Sequence, residues 1–454
     1  MPAQPLSTCP QRVLVRGVNW LGDAVMTTPA LARLRERFPS AHICLLTPEK
    51  LAELWLHHPD IDEVRTFKGG ESVFTVARRL RGPGLADGFR AGLRAFSSEV
   101  ANVQEELRSS VTQSPQPTHK HDAAAHETAR LRERMFDLAV VLPNSPRSVL
   151  ESWLARIPCR VGYARPWRNW FLTHAIPSRP GRVVMRKRRP EEIRQLIAAP
   201  SGAGFQPVRG SQARSRCYGA STSPPPGLDS EASQAHQIHE YLHLAAALGA
   251  EPEPVAPFLY VKEDEVADAQ DKFGLRPDEL WLGLNPGAEY GPAKRWPAEH
   301  FIAAARQVSA AAKVRWLVFG GKGDLALAGQ ISAALGEPAR NVAGQTTLRE
   351  LMALLHSCRV LLTNDTGPMH LAAALGTPVV VPFGSTSPEL TGPGLPGDSR
   401  HQLLRTAVPC APCFLRECPI DFRCLRGIPP ETAAAAIQRC LAQPPAPARA
   451  AAPG

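Results

Sequence analysis

Short apolar runs alternate with stretches of helical periodicity along both halves of this chain, and no other feature narrows its fold as far. In the first half the runs 13–15, 43–46 and 138–142 alternate with helical patterns running to Phe38, near 51–57 and over 145–156. In the second half the runs 281–284, 314–319, 360–363 and 379–383 alternate with helical patterns over 297–312, 324–335, 348–356 and 368–375. A strand covered on both faces is continuously apolar, and its parallel neighbour is reached through a crossover helix. The alternation therefore predicts an α/β chain with two Rossmann-like domains, each built on a parallel sheet. With 454 residues, 44% of them hydrophobic, there is enough chain for two separate cores.

Two stretches break the pattern. Residues 82–126 carry Gln113-Ser-Pro-Gln-Pro-Thr118, and residues 187–235 carry Ser223-Pro-Pro-Pro226. Both read as insertions, disordered or loosely helical, with an amphipathic connecting helix over 237–248 after the second. The expected division is an N-terminal domain over 1–250, a C-terminal domain over 251–442 and a Pro/Ala tail over 443–454 that cannot pack.

The loops at the ends of the second-half strands suggest phosphate chemistry. In Thr363-Asn-Asp-Thr-Gly-Pro-Met-His370 an apolar strand ends in a polar turn, and Asp365, Thr366 and Gly367 open a helix. Backbone amides and a hydroxyl converge there as an anion cradle, although the same residues can serve only as a helix cap. About eighty residues upstream, Asn285-Pro-Gly-Ala-Glu-Tyr-Gly-Pro-Ala-Lys-Arg-Trp-Pro297 again comes directly after a strand. Lys294 and Arg295 sit just before a helix start, where the macrodipole disfavours cations, which points to an anionic ligand. The loop Gly320-Gly321-Lys322-Gly323-Asp324 comes after the next strand, and Asp324 can meet a ribose there, or simply terminate a turn.

The first strand leads into Arg16-Gly-Val-Asn-Trp-Leu-Gly22-Asp23. It matches neither the dinucleotide fingerprint nor a P-loop. Asp23 heads a helical pattern to Phe38, and either caps it or acts in catalysis. Trp20 either stacks a sugar or packs inside. Cys410, Cys413, Cys418 and Cys424 place four thiols within fifteen residues, a density that suggests zinc or another soft metal, or else a loop that is merely reduced.

Taken together, these segments and Val141-Leu-Pro-Asn-Ser145 resemble the ADP-heptose:lipopolysaccharide heptosyltransferases, glycosyltransferase family 9, over residues 12–68, 134–186 and 236–440. The resemblance implies a glycosyltransferase B architecture, an active site in the interdomain cleft, and transfer of a heptosyl group from ADP-heptose to a lipopolysaccharide inner-core heptose with inversion. It implies Asp23 as general base and Lys294 as the charge facing the diphosphate. Donor binding would fall to Lys294, Arg295, Asp365, Thr366, Gly367, His370 and Asp324, and acceptor binding to Asn144, Ser145 and Arg147. The cysteine cluster would be structural, since other heptosyltransferases lack it. Another donor or acceptor sugar, or a binding protein without catalysis, remains compatible with the same residues.

No metal motif accompanies the phosphate site, so metal-independent transfer with no required cofactor is expected. A net charge of +10 favours polyanions. The arginine clusters at 78–81 and 182–189 lack the interleaved aromatics of a single-stranded nucleic-acid channel, so they fit a phosphate-rich surface better, or else form an ordinary solvated face. With the resemblance, a phosphorylated glycolipid and no nucleic acid is the expected partner. With no apolar leader at the start and no run long enough to span a bilayer, the expected location is cytoplasmic, with peripheral contact at the inner membrane.

Overall fold

The computed structural model describes residues 9–81, 135–198 and 234–444. The stretch 82–126, residues 199–233 and the tail from 445 lie outside the described residues. Among those described, twelve strands form two six-stranded parallel sheets.

The first sheet has the order β3-β2-β1-β4-β5-β6. Its strands are β1 Arg12–Arg16, β2 His42–Pro48, β3 Glu63–Phe67, β4 Leu138–Val141, β5 Cys159–Tyr163 and β6 His174–Ile176. The second runs β12-β11-β10-β7-β8-β9, from β7 Trp281–Asn285, β8 Arg315–Val318, β9 Ala339–Asn341, β10 Leu361–Thr363, β11 Val379–Phe383 and β12 Gln402–Arg405. Both sheets have the doubly wound order in which a ligand crevice opens where the chain reverses direction across the sheet. The reversal lies between β1 and β4 in one and between β7 and β10 in the other. The two parallel sheets expected from apolar alternation are present.

Burial explains the central strands. All five residues of β7 and of β11 are buried, as are all four of β4, which is why these segments are apolar without alternation. The predicted helix to Phe38 is two helices, Leu21–Met26 and Thr28–Arg37, interrupted at Thr27. The predicted helix near 51–57 is a 3-10 segment, Glu49–Trp55. In the second expected insertion, Pro190–Ala198 is an α-helix whose Ile193 packs with Cys410 and Cys413.

By contacts the chain forms two units. One comprises Met1–Gly17, Phe38–Glu49 and Asp62–Pro177, and the other comprises Val18–Arg37, Lys50–Ile61 and Ser178–Gly454. Residues 18–37, though they come after β1 in sequence, therefore belong to the unit that carries the second sheet, and Asp23 goes with them. No helix among the described residues is long and apolar enough to cross a membrane.

Candidate active site

The site is assembled at the carboxyl ends of β7 and β10, the reversal point of the second sheet. Asn285 and Thr363 end these strands in register, and the Asn285 amide donates to Thr363 Oγ1 at 3.0 Å. Asn364 then ties the two adjoining loops together. Its Nδ2 donates to the Pro286 carbonyl at 2.7 Å, and its Oδ1 accepts from the Trp296 amide at 3.0 Å. Only a side chain with both a donor and an acceptor satisfies both partners in this buried position. Gly291 (φ +147°) lets the first loop turn where a Cβ would stand 2.6 Å from the Arg416 carbonyl oxygen.

This frame sets Lys294 against Asp365. The ammonium donates to Asp365 Oδ2 at 2.7 Å and to the Asp365 carbonyl at 3.2 Å. Thr386 Oγ1 donates to the same Oδ2 at 2.6 Å. Asp365 is therefore a holder of Lys294 and not a helix cap. The cap position of the Gly367–Ala374 helix is Thr366, whose hydroxyl makes no capping bond. The cradle expected from the sequence is thus an uncapped helix start beside a half-buried, oriented lysine.

Asp23 enters the same unit on the Leu21–Met26 helix, which packs on the Gly367–Ala374 helix through two glycines. A Cβ on Gly22 would stand 2.7 Å from His370 Cδ2, and one on Gly367 would stand 2.7 Å from Leu21 Cδ2. Both contacts require the missing side chain. Trp20, not Asp23, occupies the cap position of this helix, which removes the capping explanation for the carboxylate. Asp23 Oδ1 instead accepts from Gln237 Nε2 at 3.3 Å, and Gln237 is itself oriented by the Tyr241 hydroxyl at 2.9 Å.

Burial raises the Asp23 pKa to about 6. The Gln237 hydrogen bond and the Lys294 charge oppose that rise, and the Asp365 charge adds to it. His370 is pushed the other way, down to about 4, again chiefly by burial. It is a neutral imidazole at pH 7, so it supplies shape and polarity and no positive charge for a phosphate.

Residues 200–422 match the model of glycosyltransferase family 9 (heptosyltransferase). The lipopolysaccharide heptosyltransferase 2 of Escherichia coli (strain K12) is 26% identical, aligned over 84% of this chain and 85% of that protein. The Salmonella typhimurium (strain LT2) protein of the same name is 27% identical over 84% of this chain and 85% of its own. The solved structure of E. coli ADP-heptose lps heptosyltransferase II superposes with a TM-score of 0.60 at 23% identity, covering 95% of this chain and 98% of the other. The chain carries a glycosyltransferase family 9 (heptosyltransferase) domain over residues 200–422.

Other residues singled out in this chain fall into two groups. Arg295 and Asp324 join the site's periphery. Arg295 Nη2 donates to Asp324 Oδ1 at 3.5 Å and to the Ala288 carbonyl at 3.3 Å. Asp324 Oδ2 accepts from the Gly321 amide at 3.1 Å, and its carboxylate lies where a Cβ on Gly287 would be, 2.4 Å from Oδ2. The acidic residue therefore clips two glycine loops together.

Asn144, Ser145 and Arg147 belong to the first unit, at the end of β4. Ser145 caps the Pro146–Leu154 helix, accepting from the Ser148 amide at 3.3 Å. Asn144 Oδ1 accepts from Arg168 at 3.4 Å, and Arg147 pairs with Glu151 at 3.1 Å and donates to the Glu71 carbonyl. Glu151 also holds the buried Arg16 at 2.7 Å, an ion pair that sequence spacing does not single out. Trp20 is 56% exposed under Lys50, so it does not pack inside. Gln237 and Thr386 are the other partners that sequence spacing gives no means of finding.

Proposed function

We propose that this transferase moves a heptosyl group from ADP-L-glycero-D-manno-heptose to a heptose hydroxyl of the lipopolysaccharide inner core, with inversion, as a heptosyltransferase II. The observation that carries this reading is a half-buried carboxylate, Asp23, in electrostatic contact with the Lys294–Asp365 pair at the strand ends of one sheet. The likeness to proteins named lipopolysaccharide heptosyltransferase 2 supports heptosyl transfer to lipopolysaccharide.

In the proposed step the acceptor oxygen attacks the anomeric carbon as the bond to ADP breaks. Asp23 takes the hydroxyl proton. With a pKa of about 6 it is mostly ionised at pH 7, yet a stronger base than an exposed aspartate. Lys294 meets the charge that develops on the departing diphosphate, together with the amides opening the Gly367–Ala374 helix. Arg295 and Asp324 lie toward the adenosine, while Asn144, Ser145 and Arg147 serve the acceptor. The donor is made, and the lipid acceptor presented, at the cytoplasmic face of the inner membrane, where the enzyme works as a peripheral protein.

A transfer assay with purified protein, ADP-heptose and truncated core acceptors tests the assignment. Turnover is expected on an acceptor carrying one inner-core heptose and not on one carrying none. Turnover only with another nucleotide sugar, or binding of ADP-heptose without transfer to any core acceptor, would overturn it.

A further inference from the structure

Outside the transfer site, one cluster of side chains has no role in the chemistry above. Cys410, Cys413, Cys418 and Cys424 line a single small cavity of about 10 Å³, room for roughly one atom-sized occupant. All four are free thiols, and three of them are buried. Ser385, on the wall of the same cavity, is buried with no hydrogen-bond partner for its hydroxyl. A second polar contact is aimed at sulfur: the Phe422 amide donates to Cys418 Sγ at 3.3 Å. Such amide-to-sulfur bonds orient and stabilise a thiolate ligand.

The loop that carries these thiols is strained and placed with purpose. Phe414 and Phe422 both hold left-handed backbone conformations, φ +56° and +57°, which bulky residues adopt only when the surroundings enforce them. The loop also braces both sides of the Lys294 pocket. The Phe414 carbonyl accepts from the Tyr290 hydroxyl at 2.8 Å, and the Arg416 carbonyl accepts from the Ala293 amide at 3.0 Å. On the other side the Ser385 carbonyl accepts from the Phe414 amide at 2.7 Å, one residue before the Thr386 that holds Asp365.

We propose that Cys410, Cys413, Cys418 and Cys424 bind one Zn²⁺ ion that pins this loop beneath the Lys294 turn. A four-sulfur tetrahedral set suits zinc, with Zn–S bonds of about 2.3 Å. Among the described residues no three His, Cys, Asp or Glu side chains already stand at coordination geometry, so binding draws the thiols inward around the cavity. Burial raises the Cys410, Cys413 and Cys424 thiols above their ordinary values, Cys424 to about 12. Zinc binding releases the protons that its sulfur ligands carry and leaves a closed structural site with no open position for substrate.

The full-length protein, purified reduced and without chelator, is assayed for zinc by plasma mass spectrometry and for thiolate coordination by Co²⁺ exchange. About one zinc per chain is expected, released as a mercurial titrates about four thiols, with sulfur-to-cobalt charge-transfer absorption after exchange. Zinc content is expected to fall about tenfold or more in a Cys418→Ser/Cys424→Ser variant. Wild-type protein holding no zinc and giving a cobalt spectrum without thiolate bands would overturn the proposal, and that result does not depend on the variant folding. Full zinc retention by the variant would equally overturn the four-thiol site.

Discussion

Lys294 and Asp365 illustrate how one ion pair with a buried carboxylate can set the electrostatics of a site. The lysine is held by two bonds from Asp365, and the aspartate is held in turn by Thr386, so the ammonium is oriented before any ligand arrives. Preorganised charge of this kind is worth most where a leaving group becomes more negative. Lys294→Ala is expected to lower kcat/KM for ADP-heptose by about 2–4 kcal/mol, roughly thirty- to a thousandfold. Thr386→Val, which removes only the brace on Asp365, should cost about ten-fold. Steady-state kinetics of both variants check the order, and a Thr386→Val enzyme as impaired as Lys294→Ala would contradict it. Asp23 adds a pH signature. Because the carboxylate must be ionised to accept a proton, kcat/KM should rise as pH passes about 6 and level above it.

Between elements, the close approach of the Leu21–Met26 and Gly367–Ala374 helices depends on Gly22 and Gly367. Gly22→Ala pushes a methyl into the buried His370 ring and is expected to destabilise by about 1–3 kcal/mol while displacing Asp23. Gly329, in the Leu325–Leu335 helix with nothing near it, is the control: Gly329→Ala should stabilise by about 0.5–1 kcal/mol. Urea denaturation of the two variants measures both signs, and equal effects would contradict the packing account.

The same scale shows what the sequence could reveal. Central strands such as β4, β7 and β11 were legible because burial on both faces makes them continuously apolar. The outer strands β3, β9 and β12 were not, since Glu63–Phe67, Ala339–Asn341 and Gln402–Arg405 are only partly buried and mix charge with apolar residues. In the site, Lys294, Asp365 and Thr366 stood out because each lies in a loop that leaves a strand directly. Gln237 did not, because it meets Asp23 across 214 residues of sequence. That Arg147 is occupied by Glu151 and the Glu71 carbonyl depends on the same kind of long-range packing.

At the scale of the whole molecule, buried titratable groups shape the response to pH. His58, His236, His370 and His401 each have a pKa pushed down to about 4 by burial. Unfolded histidine titrates near 6.5, so between about pH 6.5 and 4 the unfolded chain binds protons that the folded chain refuses. Their contribution is complete above about pH 6.5 and is lost as pH falls toward 4, at roughly 3 kcal/mol per histidine. Asp23 has the opposite sign. Its folded pKa of about 6 lies above the ordinary 3.8, so its contribution is complete below about pH 4 and lost as pH rises through 6. Four groups against one leave a net loss of stability on acidification, which denaturation midpoints at pH 7.5 and 4.5 would register. An unchanged midpoint would contradict it.

The raised pKa of Asp23 also means that the charged carboxylate costs the folded protein stability at neutral pH, by roughly 3 kcal/mol. Such a cost is expected where a group is kept for chemistry. Asp23→Asn keeps the shape and the acceptor for Gln237 while removing the charge, so the most direct test is its single-turnover rate of heptosyl transfer, measured beside its affinity for ADP. The account predicts a rate lower by about a hundredfold or more, with ADP affinity changed by no more than about twofold. Transfer at the full wild-type rate by Asp23→Asn would contradict it.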